Sequence, residues 1–285
     1  MNELDLTNVE EKIVDKNIIN ELTTDQLQQS DGHLLESKID LDELEKIDGF
    51  SWRIQLALID LICRYKQPKN ALEIGTWHGR SAVILASYVN EQCGLFWGIE
   101  PEQTRAQITE DNCRKVCPNG RLKIERNISN YSEILNNKIP WIDIVHIDGE
   151  HSFNAVYHDL DIVKPNLLKE AIIILDDFFF DLYPQITQAV FKWLDDNPDY
   201  VLLAAGVCKG IICNKMEYKR YADMILNEEF ITELKKYDTE YTNISITRTS
   251  PFMDCPTIGI STNVSECNYL GNECGDGSIE YISRR

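Results

Sequence analysis

The sequence predicts an α/β protein: a doubly wound, mostly parallel seven-stranded sheet with an antiparallel edge hairpin. Two observations predict it. From Ala71 onward, short apolar runs of strand length alternate with segments of helix length, the order of a parallel sheet covered on both faces. The last two runs are separated only by residues 206–209, which is too short for a crossover and long enough for a hairpin.

The elements follow in chain order. Met1–Asp48 is polar and acidic with scattered Ile and Leu, and it reads as an extension of short helices placed to cover an active site. Between Phe50 and Tyr65, Trp52, Ile54, Leu56, Ala57, Leu58, Leu61 and Ile62 recur at helical spacing. The strand runs are 71–74, 95–99, 122–124, 142–147, 171–175, 201–205 and 210–213, with helical patterns over 81–88, 102–116, 153–168 and 184–194. A further amphipathic stretch spans 217–237, and the tail from Asp238 is rich in Thr, Asn, Ser, Gly and Cys with no assigned role. The expected organisation is an acidic extension (1–50), a ligand-binding α/β domain (51–215), and a C-terminal helix with its tail (216–285).

Composition narrows the function. The net charge is -19, from 28 basic and 47 acidic side chains, so the surface field disfavours nucleic acid and anionic membrane as partners. Half of that charge lies in residues 1–50, which hold 14 carboxylates and four lysines. No run approaches the roughly 20 apolar residues of a membrane span, and residues 1–5 lack a secretory pattern; the expectation is a soluble, cytoplasmic protein. Nine cysteines then read mostly as reduced thiols, neither Cys113/Cys117 nor Cys208/Cys213 having a second pair at zinc spacing. Cys255, Cys267 and Cys274 lie in a segment where a clip would help, and the Asn-x-Ser triplets at Asn127, Asn130, Asn243 and Asn263 carry little meaning without secretion.

The chemistry gathers at the predicted strand ends, where open α/β sheets bind ligands. Glu73-Ile74-Gly75-Thr76-Trp77-His78-Gly79-Arg80-Ser81 is a strand running into a glycine loop that opens a helix. Only two glycines are present, so the dinucleotide fingerprint is absent and a nucleoside without a pyrophosphate fits better. Glu100, ending the next strand 27 residues after Glu73, is placed to accept hydrogen bonds from a ribose diol. Arg126-Asn127-Ile128-Ser129 follows the third strand, where an adenine edge can be read. Asp148, Glu150, Asp176 and Asp177 end the fourth and fifth strands; four carboxylates there repel unless a cation or proton intervenes, which points to a divalent metal or to two structural turns. His78, His146 and His158 read as structural or solvated, whereas His151 sits inside the acidic loop.

With these residues in view, the stretch from Asn70 to about Phe180 resembles the class I S-adenosylmethionine (SAM) methyltransferases. Its closest likeness is the branch of metal-dependent sugar and macrolide O-methyltransferases, and more distantly the catechol-type enzymes. The resemblance rests on E-I-G-T-x-x-G-x-S-A at Glu73 to Ala82, on Glu100, on I-D-G-E-H-S at Ile147 to Ser152, and on Asp176-Asp177. It implies SAM as cofactor, bound by Glu73, Gly75, Thr76, Gly79, Ser81, Glu100, Asn127 and Asp148. It further implies Mg²⁺ held by Asp148, Asp176 and Asp177, and a general base at Glu150 with His151 as second choice. The expected partner is a small-molecule acceptor, a hydroxyl on a sugar or natural product first and a phenol or catechol next. The acidic extension is a candidate for exchange between protomers of a homo-oligomer. The rival readings are an inactive methyltransferase-like binding subunit, a nicotinamide-dependent oxidoreductase, and a hydroxylase that keeps this fold and metal site.

Overall fold

Alternating apolar runs build the two faces of one sheet. The computed structural model describes residues 34–129, 141–237, 242–252 and 255–264. Along them run α1 (Leu41–Glu45), α2 (Arg53–Lys66), β1 (Asn70–Ile74), α3 (Arg80–Glu91), β2 (Leu95–Ile99), α4 (Gln103–Val116), β3 (Arg121–Glu125), β4 (Ile142–Ile147) and α5 (Phe153–Val163). Then come β5 (Leu167–Asp176), α6 (Pro184–Asp196), β6 (Tyr200–Gly206), β7 (Lys209–Asn214), α7 (Tyr218–Ile225), α8 (Glu228–Lys235), β8 (Thr242–Phe252) and β9 (Cys255–Val264).

The sheet order is β3-β2-β1-β4-β5-β7-β6-β9-β8. Strands β1 to β5 are parallel, and β7 runs antiparallel between β5 and β6. The chain winds outward from β1 through β2 to β3, then returns to the other side of β1 with β4. Ligands in such sheets bind at that reversal, outside the carboxyl ends of β1 and β4.

Strand residues alternate between two cores, as a pleat with period two requires. Ile172 and Ile174 pack with α2, α3, α4, α7 and α8, while Ile173 and Leu175 pack with α5 and α6. The five parallel strands and the hairpin stand where the pattern placed them, with helix ends shifted by a few residues. Two expectations change. The described residues form nine strands, because β9 pairs parallel with β6 and β8 pairs antiparallel with β9; the β6–β7 hairpin is therefore interior and β8 is the edge. The stretch 217–237 forms two helices, interrupted where the Asn227 side chain accepts the Glu229 N–H and caps α8. Its residues Tyr221, Ile225, Phe230 and Leu234 join the same core as α2.

The seven described cysteines are free thiols, and Cys267 and Cys274 lie outside the described residues. No described helix is long and apolar enough to cross a membrane.

Candidate functional site

A cleft of about 1240 Å³ opens at the carboxyl ends of β1, β2, β4 and β5. A typical pocket for one small molecule holds about 300–1,000 Å³, so this cleft has room for two ligands side by side.

Its floor is the loop after β1. Gly75 takes φ +83, and a Cβ there would stand 1.9 Å from the Asp148 carbonyl oxygen; only glycine lets the β1 and β4 loops meet backbone to backbone. Gly79, at φ +94, begins α3, and its N–H donates to the Thr76 carbonyl at 2.8 Å. Buried Thr76 reaches Thr109 by hydroxyl–hydroxyl contact at 3.1 Å. Gly75, Thr76, Gly79 and Ser81 all line the cleft.

Glu100 lines it too and is fixed by backbone donors. Its Oε2 accepts the Trp77 N–H at 3.0 Å and its Oε1 the Glu102 N–H at 3.1 Å. Each oxygen keeps a second lone pair, enough for the two hydroxyls of a diol. Trp77 is held at φ +48 with the Arg105 guanidinium 3.5 Å from its ring centre.

Two expected cofactor residues stand elsewhere. The Glu73 side chain lies fully buried beneath the loop, where it accepts from Ser81 Oγ at 2.5 Å and contacts His146 Nδ1 at 2.7 Å. It shapes the loop from behind and does not line the cleft. Asn127 accepts the N–H of its own neighbour Ile128, and it is Ile128 and Ser129 that face the cleft.

Asp148, Glu150, His151, Asp176 and Asp177 line the opposite side. His151 Nε2 stands 3.4 Å from Asp177 Oδ2 and 3.8 Å from Asp148 Oδ1, with its ring 4.2 Å from that of Tyr183. Burial and the charge of Asp176 push Asp148 up to about 7. The nearby carboxylates of Asp148 and Asp177 raise His151. Burial and Asp176 also raise Asp177. Glu150 is exposed at the rim.

Asp176 is engaged on both oxygens. Oδ1 accepts the Asp177 N–H at 2.8 Å and Oδ2 accepts from Lys209 Nζ at 2.5 Å. Burial opposes its ionisation, but Lys209 and His146 outweigh that and hold it below the usual carboxylate range. The described residues form two three-member clusters, His146–Asp148–Asp176 and Asp148–His151–Asp177. The expected ligand set of Asp148, Asp176 and Asp177 is not one of them, and each cluster brings in an imidazole. A hard ion that demands octahedral oxygen ligands does not fit the cluster that contains Asp176, whose carboxylate already faces the Lys209 ammonium.

Sequence reasoning missed Lys209, although it is the only charged residue between Val201 and Cys213. It also missed Arg80, whose guanidinium donates to the carbonyls of Ile47, Ser51 and Glu45. That clamp brings Asp48–Trp52, the end of the extension, to the cleft wall.

Among the described residues, three of the five buried side-chain polar atoms that lack a partner, Trp77 Nε1, His158 Nε2 and Asp159 Oδ1, belong to cleft-lining residues. Such atoms call for a bound partner. Residues 72–178 match the sequence pattern of a known family, described as a methyltransferase domain. The match makes this stretch similar to a methyltransferase domain over rather more than a third of the chain. The matched stretch contains the β1 loop, Glu100 and the whole Asp148–Asp177 cluster.

No curated protein sequence matches the chain. Among solved structures, SAH-bound methyltransferase PaMTH1 of Podospora anserina is similar at 16% identity over 74% of this chain and 100% of that one, with a TM-score of 0.51. TomG of Streptomyces achromogenes, an O-methyltransferase of tomaymycin synthesis solved with SAM, aligns at 17% identity over 63% and 92%, TM-score 0.49. The Bacillus cereus O-methyltransferase solved with SAH aligns at 18% over 68% and 95%, TM-score 0.49. At 16% identity what is shared with PaMTH1 is the fold, the doubly wound sheet.

Proposed function

We propose that this chain is a SAM-dependent O-methyltransferase acting on a hydroxyl of a small molecule. The observation that carries the reading is convergence: within a stretch similar to a methyltransferase domain, one cleft collects a glycine loop, a buried and backbone-fixed Glu100, and a histidine set between two carboxylates.

The donor side supports SAM. Glu100 offers two lone pairs to a ribose diol, Gly75 and Gly79 allow close backbone approach, and Trp77, Ile128 and Ser129 border the same space. Bound there, SAM supplies a methyl group already activated on a sulfonium centre, so the protein contributes position, charge and dryness.

The acceptor side supports proton removal from a hydroxyl. The His151 imidazole takes the proton as the acceptor oxygen takes the methyl, and the Asp177 and Asp148 carboxylates beside Nε2 stabilise the imidazolium that results. The base role falls to His151 ahead of Glu150, because the imidazole faces the carboxylates whereas Glu150 stands exposed at the rim. No step is routed through a metal ion, since Asp176 is committed to Lys209. Phe50, Trp52, Phe180 and Tyr183 line the cleft and favour an acceptor with an apolar or aromatic face, a natural-product sugar hydroxyl first and a phenol next.

Calorimetric titration with SAH tests the reading. Micromolar binding to the wild type, weakened at least about a hundredfold in Glu100→Ala through loss of two charge-assisted hydrogen bonds, is the expected result. No binding to the wild type, or binding that Glu100→Ala leaves intact, would refute it.

A further inference from the structure

The carboxylate cluster carries its own cation. Lys209 opens β7 directly opposite Asp176 in the antiparallel ladder with β5. Its side chain is fully buried, with Nζ 2.5 Å from Asp176 Oδ2 and 3.3 Å from His146 Nε2. His146 in turn contacts Glu73, which accepts from Ser81 at the start of α3. One chain of polar contacts thus runs beneath the cleft from β7 through β5, β4 and β1.

Stability does not explain a buried ion pair. Replacing such a pair with apolar side chains of similar volume is often neutral or stabilising. What the pair changes is the local charge: Asp148, Asp176 and Asp177 place three carboxylates in one site, and the Lys209 ammonium cancels one of them without an exogenous ion. Val207 and Cys208, the two residues of the β6–β7 turn that deliver Lys209, sit at φ +47 and +58, the left-handed pair that a two-residue hairpin turn takes. Cys208 lines the cleft, and its carbonyl accepts the Phe178 N–H, tying that turn to the loop of Asp177.

We propose that Lys209 is the built-in cation of this site, standing in for a divalent metal at Asp176 and positioning Asp176, the Asp177 loop and His146 from beneath the cleft. Lys209 is a positioning residue, since it faces Asp176 from below and touches no reacting atom. The proposal takes the cleft to be the methyl-transfer site, yet its test stands apart from turnover. With Asp176 committed to Lys209, the His146–Asp148–Asp176 cluster takes no hard cation in the wild type; once the ammonium is removed, that cluster is free to take one.

The test is a Mn²⁺ titration followed by electron paramagnetic resonance on the full chain, after chelator treatment and without SAM. The wild type is expected to leave Mn²⁺ free up to millimolar concentration. Lys209→Met, nearly isosteric, is expected to bind Mn²⁺ at least about tenfold more tightly once the opposing charge is gone, in competition with Mg²⁺. Stoichiometric Mn²⁺ uptake by the wild type that Asp176→Asn abolishes would overturn the proposal, as would a Lys209→Met that is folded by circular dichroism and gains no Mn²⁺ affinity. Should Lys209→Met fail to fold, the wild-type titration still decides. SAH calorimetry on the same chelated sample keeps the two claims separate: loss of SAH binding counts against the methyltransferase reading and leaves the Mn²⁺ result to judge Lys209.

Discussion

The clamp made by Arg80 sets up a local perturbation whose size follows from the contacts. Its Nε donates to the Ile47 carbonyl at 2.5 Å, and its two terminal nitrogens to Ser51 at 3.0 Å and Glu45 at 3.1 Å. The Glu45 bond is exposed to water and counts for little. The other two, at about 1.5–2 kcal/mol each for a charged donor, give about 3–4 kcal/mol, from which ordering the long side chain removes about 2 kcal/mol. The net hold on residues 45–52 is therefore about 1.5 kcal/mol, close to a tenfold change in an equilibrium. Arg80→Met keeps the aliphatic stem that packs on Gly49 and deletes every donor. Hydrogen exchange is the assay: amides of residues 47–52 should exchange about tenfold faster in Arg80→Met, with β4 and β5 unchanged and Arg80→Lys in between. Unchanged exchange in that segment, or uniform acceleration through the sheet, would refute the clamp.

Two further outcomes follow from the cleft. Gly75→Ala forces a left-handed alanine against the Asp148 carbonyl; strain and overpacking of about 3 kcal/mol should lower Tm by about 6–12 °C, and a melt within a degree of wild type would show that the two loops need not touch. His151, raised by its carboxylate neighbours Asp148 and Asp177, holds its proton to higher pH than a free imidazole and releases it as pH rises. Because the neutral imidazole is the base, kcat/KM should climb along a limb above neutral pH. His151→Ala should lower the rate about 10²–10⁴-fold and flatten that limb; a limb that survives would move the base role to Glu150.

Much of the architecture was legible because burial on both faces leaves a periodic trace. A strand covered on two sides must be apolar throughout, as 171–175 and 142–147 are, and the helices between them must be amphipathic. The tail escaped for the complementary reason. β8 and β9 hold Thr, Ser, Asn and Pro at a sheet edge, where composition resembles that of a loop and only the pairing of β9 with β6 and of β8 with β9 makes them strands.

In the site, residues whose role is dictated by backbone geometry could be read directly. Gly75, Gly79 and Glu100 stand at strand ends, where the fold class itself says that ligands bind, and Asp148, Asp176 and Asp177 announce themselves as carboxylates in the same place. Direction and pairing could not be read. That Glu73 turns beneath its loop to Ser81 and His146, that Ile128 and Ser129 face the cleft instead of Asn127, and that His151 swings toward the carboxylates while Glu150 stays at the rim are outcomes of side-chain packing among distant segments. Lys209 is the sharpest case. The sequence by itself determined the parallel strands, the hairpin and the acidic residues at the strand ends, because these follow from local periodicity; only the tertiary structure set the strand order and, by placing β7 in register against β5, decided that a buried ammonium meets Asp176, because an ion pair depends on where two strands lie and not on how far apart they are in the chain.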